Sequence, residues 1–265
     1  MKNTEPEVLV VARPALDFEE IARYMGEVGG VEWLARLDQG RLDEELNEAQ
    51  TLAEIAGRVC YRSWEPGLNP NVKRVRTDQG AYLKNILSSA HGSVLEHANF
   101  SFVLNNVSRV FTHELIRHRA GTAVSQESLR FVRLQEIPFW FPEWAREDAE
   151  LMERASGVLR ELEEFQTWMA GRFGLDEDGV VFSEKKHKTS FMRRFAPEGV
   201  GTTLLWTANI RTLRHTIESR TAPGAEEEIR LVFHKIGEIM RAEAPALFGD
   251  YTIEDGAWVP SWRKV

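Results

Sequence analysis

The longest periodic segment of the sequence, residues 142–173, constrains the fold most. Apolar side chains recur there at the spacing of an amphipathic helix, and many of the remaining positions are acidic. The apolar positions are Trp144, Leu151, Met152, Ala155, Leu159, Leu162, Phe165, Trp168 and Met169. Gly174 and Asp176 predict where this helix ends. The pattern therefore predicts one long helix with an apolar stripe along one side.

Shorter segments add both strands and helices. Strand patterns occupy residues 7–13, which are predicted to be buried, and residues 100–104, which alternate between apolar and polar side chains. Helical spacing is found in residues 17–37 (with a break at its glycines), 42–59, 78–90, 107–118 and 203–220. A last helix is predicted to begin at Glu226, Glu227 and Glu228, because acidic residues favour a helix N-terminus. Residues 63–77 are expected to form a long loop, and residues 91–96 a turn.

The order of these elements favours one α+β domain spanning residues 1–265. No internal repeat, no low-complexity segment and no boundary between two hydrophobic cores is visible in the sequence. A chain of 265 residues is long enough to bury a core.

Charge and cysteine content exclude several classes of function. The formal net charge of −8 argues against broad binding to nucleic acid or to an anionic membrane, since both depend on a positive field. Cys60 is the sole cysteine, so neither an internal disulfide nor a cysteine-based metal site can form. No signal peptide and no apolar run of roughly 18 residues is present. We expect a cytoplasmic protein.

Residues 117–130 carry the clearest chemical signal. Arg117, His118 and Arg119 stand in a row, small residues follow, and a polar run ends at Arg130. Burying such charges without partners is costly, so this stretch is not ordinary core. Its place after the predicted 107–118 helix indicates a loop along which a large anionic ligand lies.

No metal site is predicted beside this stretch. His113 and His118 resemble a helical zinc motif, but they are five residues apart. That spacing puts them about 140° apart around a helix, so one ion cannot bind both from an undistorted helix.

Arginine side chains are the candidate anion ligands, because the sequence has no glycine-rich phosphate loop. A guanidinium stays charged and matches the geometry of phosphate oxygens. The candidates are Arg117, Arg119, Arg130, Arg193, Arg211 and Arg220. Surface salt bridges with the 41 acidic residues are the alternative for each of them.

Three other features allow a functional and a structural interpretation. Asn209 and Arg220 are eleven residues apart, so a continuous helix would place them on nearly the same side. Together they could bind a polar heterocycle; the alternative is that Asn209 caps a helix and Arg220 is exposed. The turn from His91 to His97 is more typical of a hydrogen-bonded structural cluster than of catalysis. Cys60 is expected to be a small buried residue rather than a nucleophile.

Taken in order, these residues resemble the flavin-dependent thymidylate synthases, also called thymidylate synthase-complementing proteins. The family signature reads here as Arg117-His118-Arg119 followed by Ser128 and Arg130, with a connecting loop one residue longer than usual. Further matches extend from about residue 56 to residue 220. They include Arg58 to Tyr61, His91 to His97, Val107 to Arg109, Arg193 before Pro197, and Asn209 with Arg211 and Arg220. Residues 1–45 and 134–189 carry no usable motif.

The resemblance implies a mainly antiparallel sheet flanked by helices and a homotetramer with shared active sites. It also implies FAD as the cofactor, deoxyuridine monophosphate (dUMP) as the substrate, and methylenetetrahydrofolate and NADPH as co-substrates. The product is dTMP, and no protein cysteine attacks the uracil ring. Neither nucleic acid nor a membrane is an expected partner.

The resemblance also assigns site residues. The implied FAD contacts are Ser93, Arg117, His118, Arg119, Gln126, Asn209, Ile210, Arg211 and His215. The implied dUMP contacts are Glu114, Leu115, Ile116, Arg117, Gln126, Glu127, Ser128, Leu129, Arg130, Arg193 and Arg220. Among these, Ser128, Arg130 and Arg193 serve the phosphate, and Arg220 polarises the uracil ring as the catalytic residue. No metal ligand is implied.

Two other functions remain open from the residues alone. A non-catalytic flavin- or nucleotide-binding sensor of dUMP could use the same arginines. A nucleic-acid-binding module is disfavoured by the net charge.

Overall fold

The structure is a computed structural model that describes residues 2–43 and 45–265. Within these residues, helices α1 to α11 are Phe18–Val28, Val31–Leu42, Glu48–Tyr61, Gln79–Ser88, Arg109–Leu115, Glu143–Arg146, Ala149–Arg172, Phe182–Met192, Ile210–Thr221, Glu227–Glu243 and Pro245–Phe248. Strands β1 to β8 are Lys2–Asn3, Glu7–Ala12, Asn99–Ser108, Thr122–Gln126, Pro138–Phe139, Gly201–Asn209, Tyr251–Glu254 and Ala257–Pro260. Two 3-10 helices are Gly92–Glu96 and Arg193–Phe195. The predicted α+β class and antiparallel sheet are confirmed.

The central sheet has the strand order β2-β3-β6-β4, and every neighbouring pair is antiparallel. Its inner face is formed by alternate residues of β3 and β6, among them Phe102 and Trp206, which are both fully buried. Helices α9 and α10 pack against this face and add Leu213 and Phe233 to one large apolar core. The sheet is thus covered on one side, and the loops and helices at its ends position the candidate site.

Two predictions about the segments of this sheet are wrong. Residues 7–13 were predicted to be a buried strand, but β2 is an edge strand whose Leu9 and Val11 are exposed. The segment 203–220 was predicted to be one helix, yet residues up to Asn209 belong to β6. A short apolar run such as residues 203–209 fits the residue spacing of a helix as well as that of a strand. Hydrogen-bonded pairing with β3 and β4 makes this run a strand.

Asn209 ends β6 and begins α9. Its side chain caps that helix by accepting a hydrogen bond from the Thr212 N–H at 2.8 Å. Helix α9 is therefore shorter than predicted, and its N-terminus lies at the end of the central sheet.

The predicted loop at residues 63–77 is confirmed, and a buried arginine holds both of its ends. The guanidinium of Arg58 donates to the backbone oxygens of Ser63 (2.5 Å) and Arg76 (2.7 Å). Glu54 pairs with Arg58 and also accepts from the indole N–H of Trp33 in α2. This network ties the loop to helices α2 and α3.

Helix positions are otherwise close to those predicted. Residues 17–37 break at Gly29, which adopts φ +84°, and continue as α2 as far as Leu42. The segment 142–173 is a short helix, α6, followed by the long helix α7, which Asp148 caps. Among the described residues, no helix combines the length and apolarity needed to cross a bilayer.

Candidate functional site

A cavity with a volume of about 880 Å³ lies where α9 begins and the 117–121 loop crosses the sheet end. The residues that line it are Glu96, Arg117, His118, Arg119, Ala120, Gly121, Asn209, Arg211, Thr212, His215 and Val265. Side chains more than 90 positions apart in the sequence thus meet at one opening. Its volume falls within the roughly 300–1,000 Å³ typical of small-molecule and cofactor sites.

Backbone contacts hold the 117–121 loop against α9. Asn209 N–H donates to the Gly121 oxygen at 3.1 Å, and the Thr212 hydroxyl donates to the Ala120 oxygen at 2.7 Å. Gly121 has φ +66°, and a Cβ there would overlap the side-chain amide of Asn209. Only glycine therefore lets the loop approach the helix this closely.

The cavity wall is positively charged on two sides. Arg117 and Arg119 are exposed on the loop, and the loop faces the N-terminus of α9, where the helix dipole also favours anions. Arg211 pairs with Glu96 at 2.5 Å, but both side chains are about half exposed, so a ligand can compete for the guanidinium. The arrangement suits a large anion, which agrees with the hypothesis drawn from residues 117–130.

Arg220 adjoins this cavity through His118, which lines it. Its Nε donates to Nε2 of His118 at 2.6 Å, one Nη donates to Oε2 of Glu114 at 2.5 Å, and the other donates to the Glu114 backbone oxygen at 3.0 Å. A guanidinium has five N–H donors, so these contacts leave two for a ligand. The side chain is largely buried, which holds the charged group in one orientation.

His118 is neutral at physiological pH. Burial, followed by the positive charge of Arg220 and then by His215 and Arg117, lowers the pKa of His118 to about 4. Because Nε2 accepts from Arg220, the neutral ring carries its proton on Nδ1. The imidazole therefore orients Arg220 without adding a competing positive charge.

This depressed pKa predicts a pH dependence of stability. In the unfolded chain this histidine takes up a proton near pH 6.5, whereas folded His118 does so only near pH 4. The free energy of unfolding therefore decreases as the pH falls between these two values. When the pH is lowered from about 7.5 to about 5, the melting temperature should fall by more in the wild-type protein than in His118→Gln. His113→Gln changes an exposed histidine nearby and should behave as wild type. Equal falls for wild type and His118→Gln would contradict the assignment.

A second cavity of about 330 Å³ adjoins the first through Arg211. Ser93, the predicted FAD contact in the 91–97 turn, lines this second cavity rather than the first. The rings of Tyr61 and His91 stack beside it with centroids 5.6 Å apart. Cys60 also lines it and is exposed, so the expectation of a buried cysteine is wrong.

The predicted phosphate contacts lie at the other end of β4. Thr122 pairs with Ala208 beside the cavity, whereas Gln126 pairs with Leu204, about 13 Å further along the strand. Beyond it, the Nε of Arg130 donates to the Ser190 hydroxyl of α8 at 3.0 Å. Within this chain, the strand thus separates the Arg220 cluster from the residues that follow β4.

Other predicted contacts at this end are scattered over the surface of the same region. Glu127 accepts from Thr203 N–H, and the Ser128 hydroxyl accepts from Arg130 N–H. Leu129 and Arg193 line a narrow cleft beside α7 and α8. Gln126 has a buried side-chain nitrogen without a partner among the described residues. None of these side chains lines the 880 Å³ cavity.

Two of three further predicted contacts are constrained by their burial. Leu115 and Ile210 are fully buried in the core, so a ligand could reach only their backbone. Ile116 is exposed just before Arg117.

Two residues near the sites were missed by sequence reasoning. Arg109 donates to the Glu127 backbone oxygen at 3.4 Å, and burial, followed by the charge of Arg193, lowers the pKa of Arg109. Glu228 accepts from both the N–H and the hydroxyl of Ser108, which caps α5 and so fixes the helix that carries Glu114. The match of Val107 to Arg109 to the family was a usable signal for Arg109; nothing local indicated that Glu228 would reach Ser108.

Fold and site together define an α+β protein with a cationic, imidazole-lined cavity that suits a large anionic ligand. The sequence model of the family described as thymidylate synthase complementing protein matches residues 41–246. A relative from Corynebacterium aurimucosum, named flavin-dependent thymidylate synthase, is 31% identical over 239 residues, which cover 88% of this chain and 90% of the relative. A relative of the same name from Mycobacterium bovis is 35% identical over 78% of this chain and 83% of its own length. Another, from Mycobacterium marinum, is 35% identical over 81% of this chain and 86% of its own length.

The chain belongs to the thymidylate synthase complementing protein family. The resemblance carried by Arg117 to Arg119, Ser128 and Arg130 is therefore confirmed.

Proposed function

We propose that this protein catalyses the reductive methylation of dUMP to dTMP, with FAD as cofactor, methylenetetrahydrofolate as carbon donor and NADPH as reductant. The observation that carries the proposal is the meeting of Arg117, His118 and Arg119 with Asn209 and Arg211 in one cavity beside Arg220. Family membership supplies the reaction class.

The cavity fits a flavin nucleotide in size, charge and shape. Exposed guanidinium groups and the N-terminus of α9 match its phosphates, and the imidazoles of His118 and His215, with ring centroids 5.9 Å apart, offer flat surfaces. Because Gly121 lets the 117–121 loop pack directly against α9, the loop does not occupy the cavity. The residues proposed to hold FAD are Ser93, Arg117, His118, Arg119, Asn209, Ile210, Arg211 and His215. When bound, the reduced flavin supplies the hydride.

Arg220 is proposed to act on the uracil ring. Carbon C5 of uracil must become nucleophilic, so negative charge builds on the ring oxygens and N3. A guanidinium with two remaining N–H donors, held in place by Glu114 and His118, stabilises that charge without having to reorient. Glu114 and neutral His118 thus serve as positioning residues for Arg220.

The dUMP phosphate is proposed to bind Ser128, Arg130 and Arg193, with Gln126, Glu127 and Leu129 nearby. These residues follow β4 at its far end, away from Arg220 of the same chain. We infer that a complete site joins the Arg220 cluster of one chain to the phosphate residues of another, as a homotetramer would allow. Arg109, which donates to the Glu127 backbone oxygen, adds positive charge to that second cluster.

Cys60 is not proposed to attack the substrate. It is exposed at the second cavity, and Tyr61 and His91, not Arg220, are its neighbours there. The reaction therefore needs the flavin and Arg220 rather than a thiolate.

The test is a reaction of FAD-loaded protein with dUMP, methylenetetrahydrofolate and NADPH, followed by chromatographic measurement of dTMP. We expect a yellow protein, oxidation of NADPH that accelerates when dUMP is present, and dTMP formation that stops when any one component is omitted. Cys60→Ser should keep this activity. Binding of flavin and dUMP without any dTMP would contradict the proposal and favour a sensor.

A further inference from the structure

The segment after β8, residues 261–265, returns from the C-terminal hairpin to the edge of the 880 Å³ cavity. Val265 lines that cavity and is half-buried against the large core. A Cβ added to Gly92 would lie 2.7 Å from the carbonyl carbon of Val265 and 2.7 Å from Nε of Arg211. Val265 therefore sits between the 92–96 turn and the N-terminal part of α9, next to one of the cavity's cations.

This segment is anchored to α9 through Arg214. Arg214, which is 3% exposed, donates to both carboxylate oxygens of Asp250 at 2.7 and 2.9 Å and to the Trp262 oxygen at 3.3 Å. The backbone and hydroxyl of Ser261 both donate to the Asp250 oxygen. A buried, bidentate ion pair of this kind holds its neighbours in one geometry. The position of Val265 is thus coupled to the helix that carries Arg211 and His215.

The chemistry of the wall makes Val265 distinctive. Most of the described lining residues are charged or polar, and Val265 is the largest aliphatic side chain among them. A cofactor with phosphates and fused rings needs apolar contact as well as cations, and known cofactor sites combine both. Val265 lies outside residues 41–246, the region matched by the family's sequence model.

We propose that Val265 is a contact residue for the ligand of this cavity and that segment 262–265 forms part of the binding site. The ligand class is an anionic nucleotide with an aromatic ring system, which is FAD if the proposed function holds. Val265 supplies an apolar surface beside Arg211, and the Arg214–Asp250 pair positions it there.

The test compares two variants that each lower the net charge by one. Val265→Asp adds a carboxylate to a residue that lines the same cavity as Arg211, where it would repel ligand phosphate and compete with it for the cations of the wall. Lys264→Ala removes a charge from the neighbouring, exposed position, which does not line the cavity. Both are purified without cofactor and titrated with FAD by fluorescence, and their melting temperatures are recorded.

We expect the FAD dissociation constant to rise about tenfold or more for Val265→Asp and to stay within about twofold of wild type for Lys264→Ala. Val265→Ala, which only removes apolar contact, should weaken binding by a smaller factor and serves if Val265→Asp does not fold. Wild-type affinity in both Val265 variants would overturn this inference while leaving the proposed function intact. Failure of the wild-type protein to bind FAD would instead overturn the proposed function.

Discussion

Replacing Arg220 with alanine is expected to lower the rate of dTMP formation by roughly a hundredfold or more, while FAD remains bound. The guanidinium is the fixed positive charge of the proposed site, held by Glu114 and by neutral His118. Its loss removes stabilisation of the charge that develops on the uracil ring. The proposed FAD contacts, by contrast, are other residues around the cavity, such as Arg117 and Asn209.

The measurement is kcat for dTMP together with the flavin absorption spectrum of the same preparation. Arg220→Lys is the matched control, because it keeps the charge but lacks the planar fork that donates to His118, to Oε2 of Glu114 and to the Glu114 backbone oxygen. Its activity should lie between those of Arg220→Ala and wild type. A wild-type rate for Arg220→Ala with bound flavin would remove the proposed role of Arg220.

Mixing two inactive variants, Arg193→Ala and Arg220→Ala, is expected to restore activity. Within one chain, β4 separates the Arg220 cluster from the residues that follow Gln126, and Arg193 belongs to the latter group. If each site takes Arg220 from one chain and Arg193 from another, random mixing in equal amounts leaves both arginines intact in about a quarter of the sites. Coexpression, followed by measurement of dTMP formation per bound flavin, tests this.

The control mixture combines Arg220→Ala with Glu114→Ala. Glu114 and Arg220 contact each other within one chain, so every mixed site lacks one or the other. This mixture should stay as inactive as its parents. If the Arg193→Ala and Arg220→Ala mixture is equally inactive, the shared-site proposal is wrong.

Much of the fold follows from local sequence patterns. The long stripe of residues 142–173 predicted α7, and the acidic run at Glu226 to Glu228 predicted the start of α10. The sequence could not separate β6 from α9, because Trp206 and Ile210 fit a helical spacing as well as a strand followed by a helix. Where β6 ends and α9 begins is determined by pairing with distant strands, which a local sequence pattern does not contain.

The candidate site was predictable in part. Arg117 to Arg119 with Asn209 and Arg211 was expected to form one ligand site, and the structure collects these residues in one cavity. The sequence did not reveal that Val265 would join them, since its position depends on the buried Arg214–Asp250 pair. Similarly, the exposure of Cys60 depends on how α3 meets the 63–77 loop, not on the residues beside it.

The measurement that tests the central claim most directly is dTMP formation by the purified protein supplied with FAD, dUMP, methylenetetrahydrofolate and NADPH. We predict dTMP that carries the methylene carbon of the folate and requires every component. Protein that binds FAD and dUMP yet forms no dTMP would contradict it.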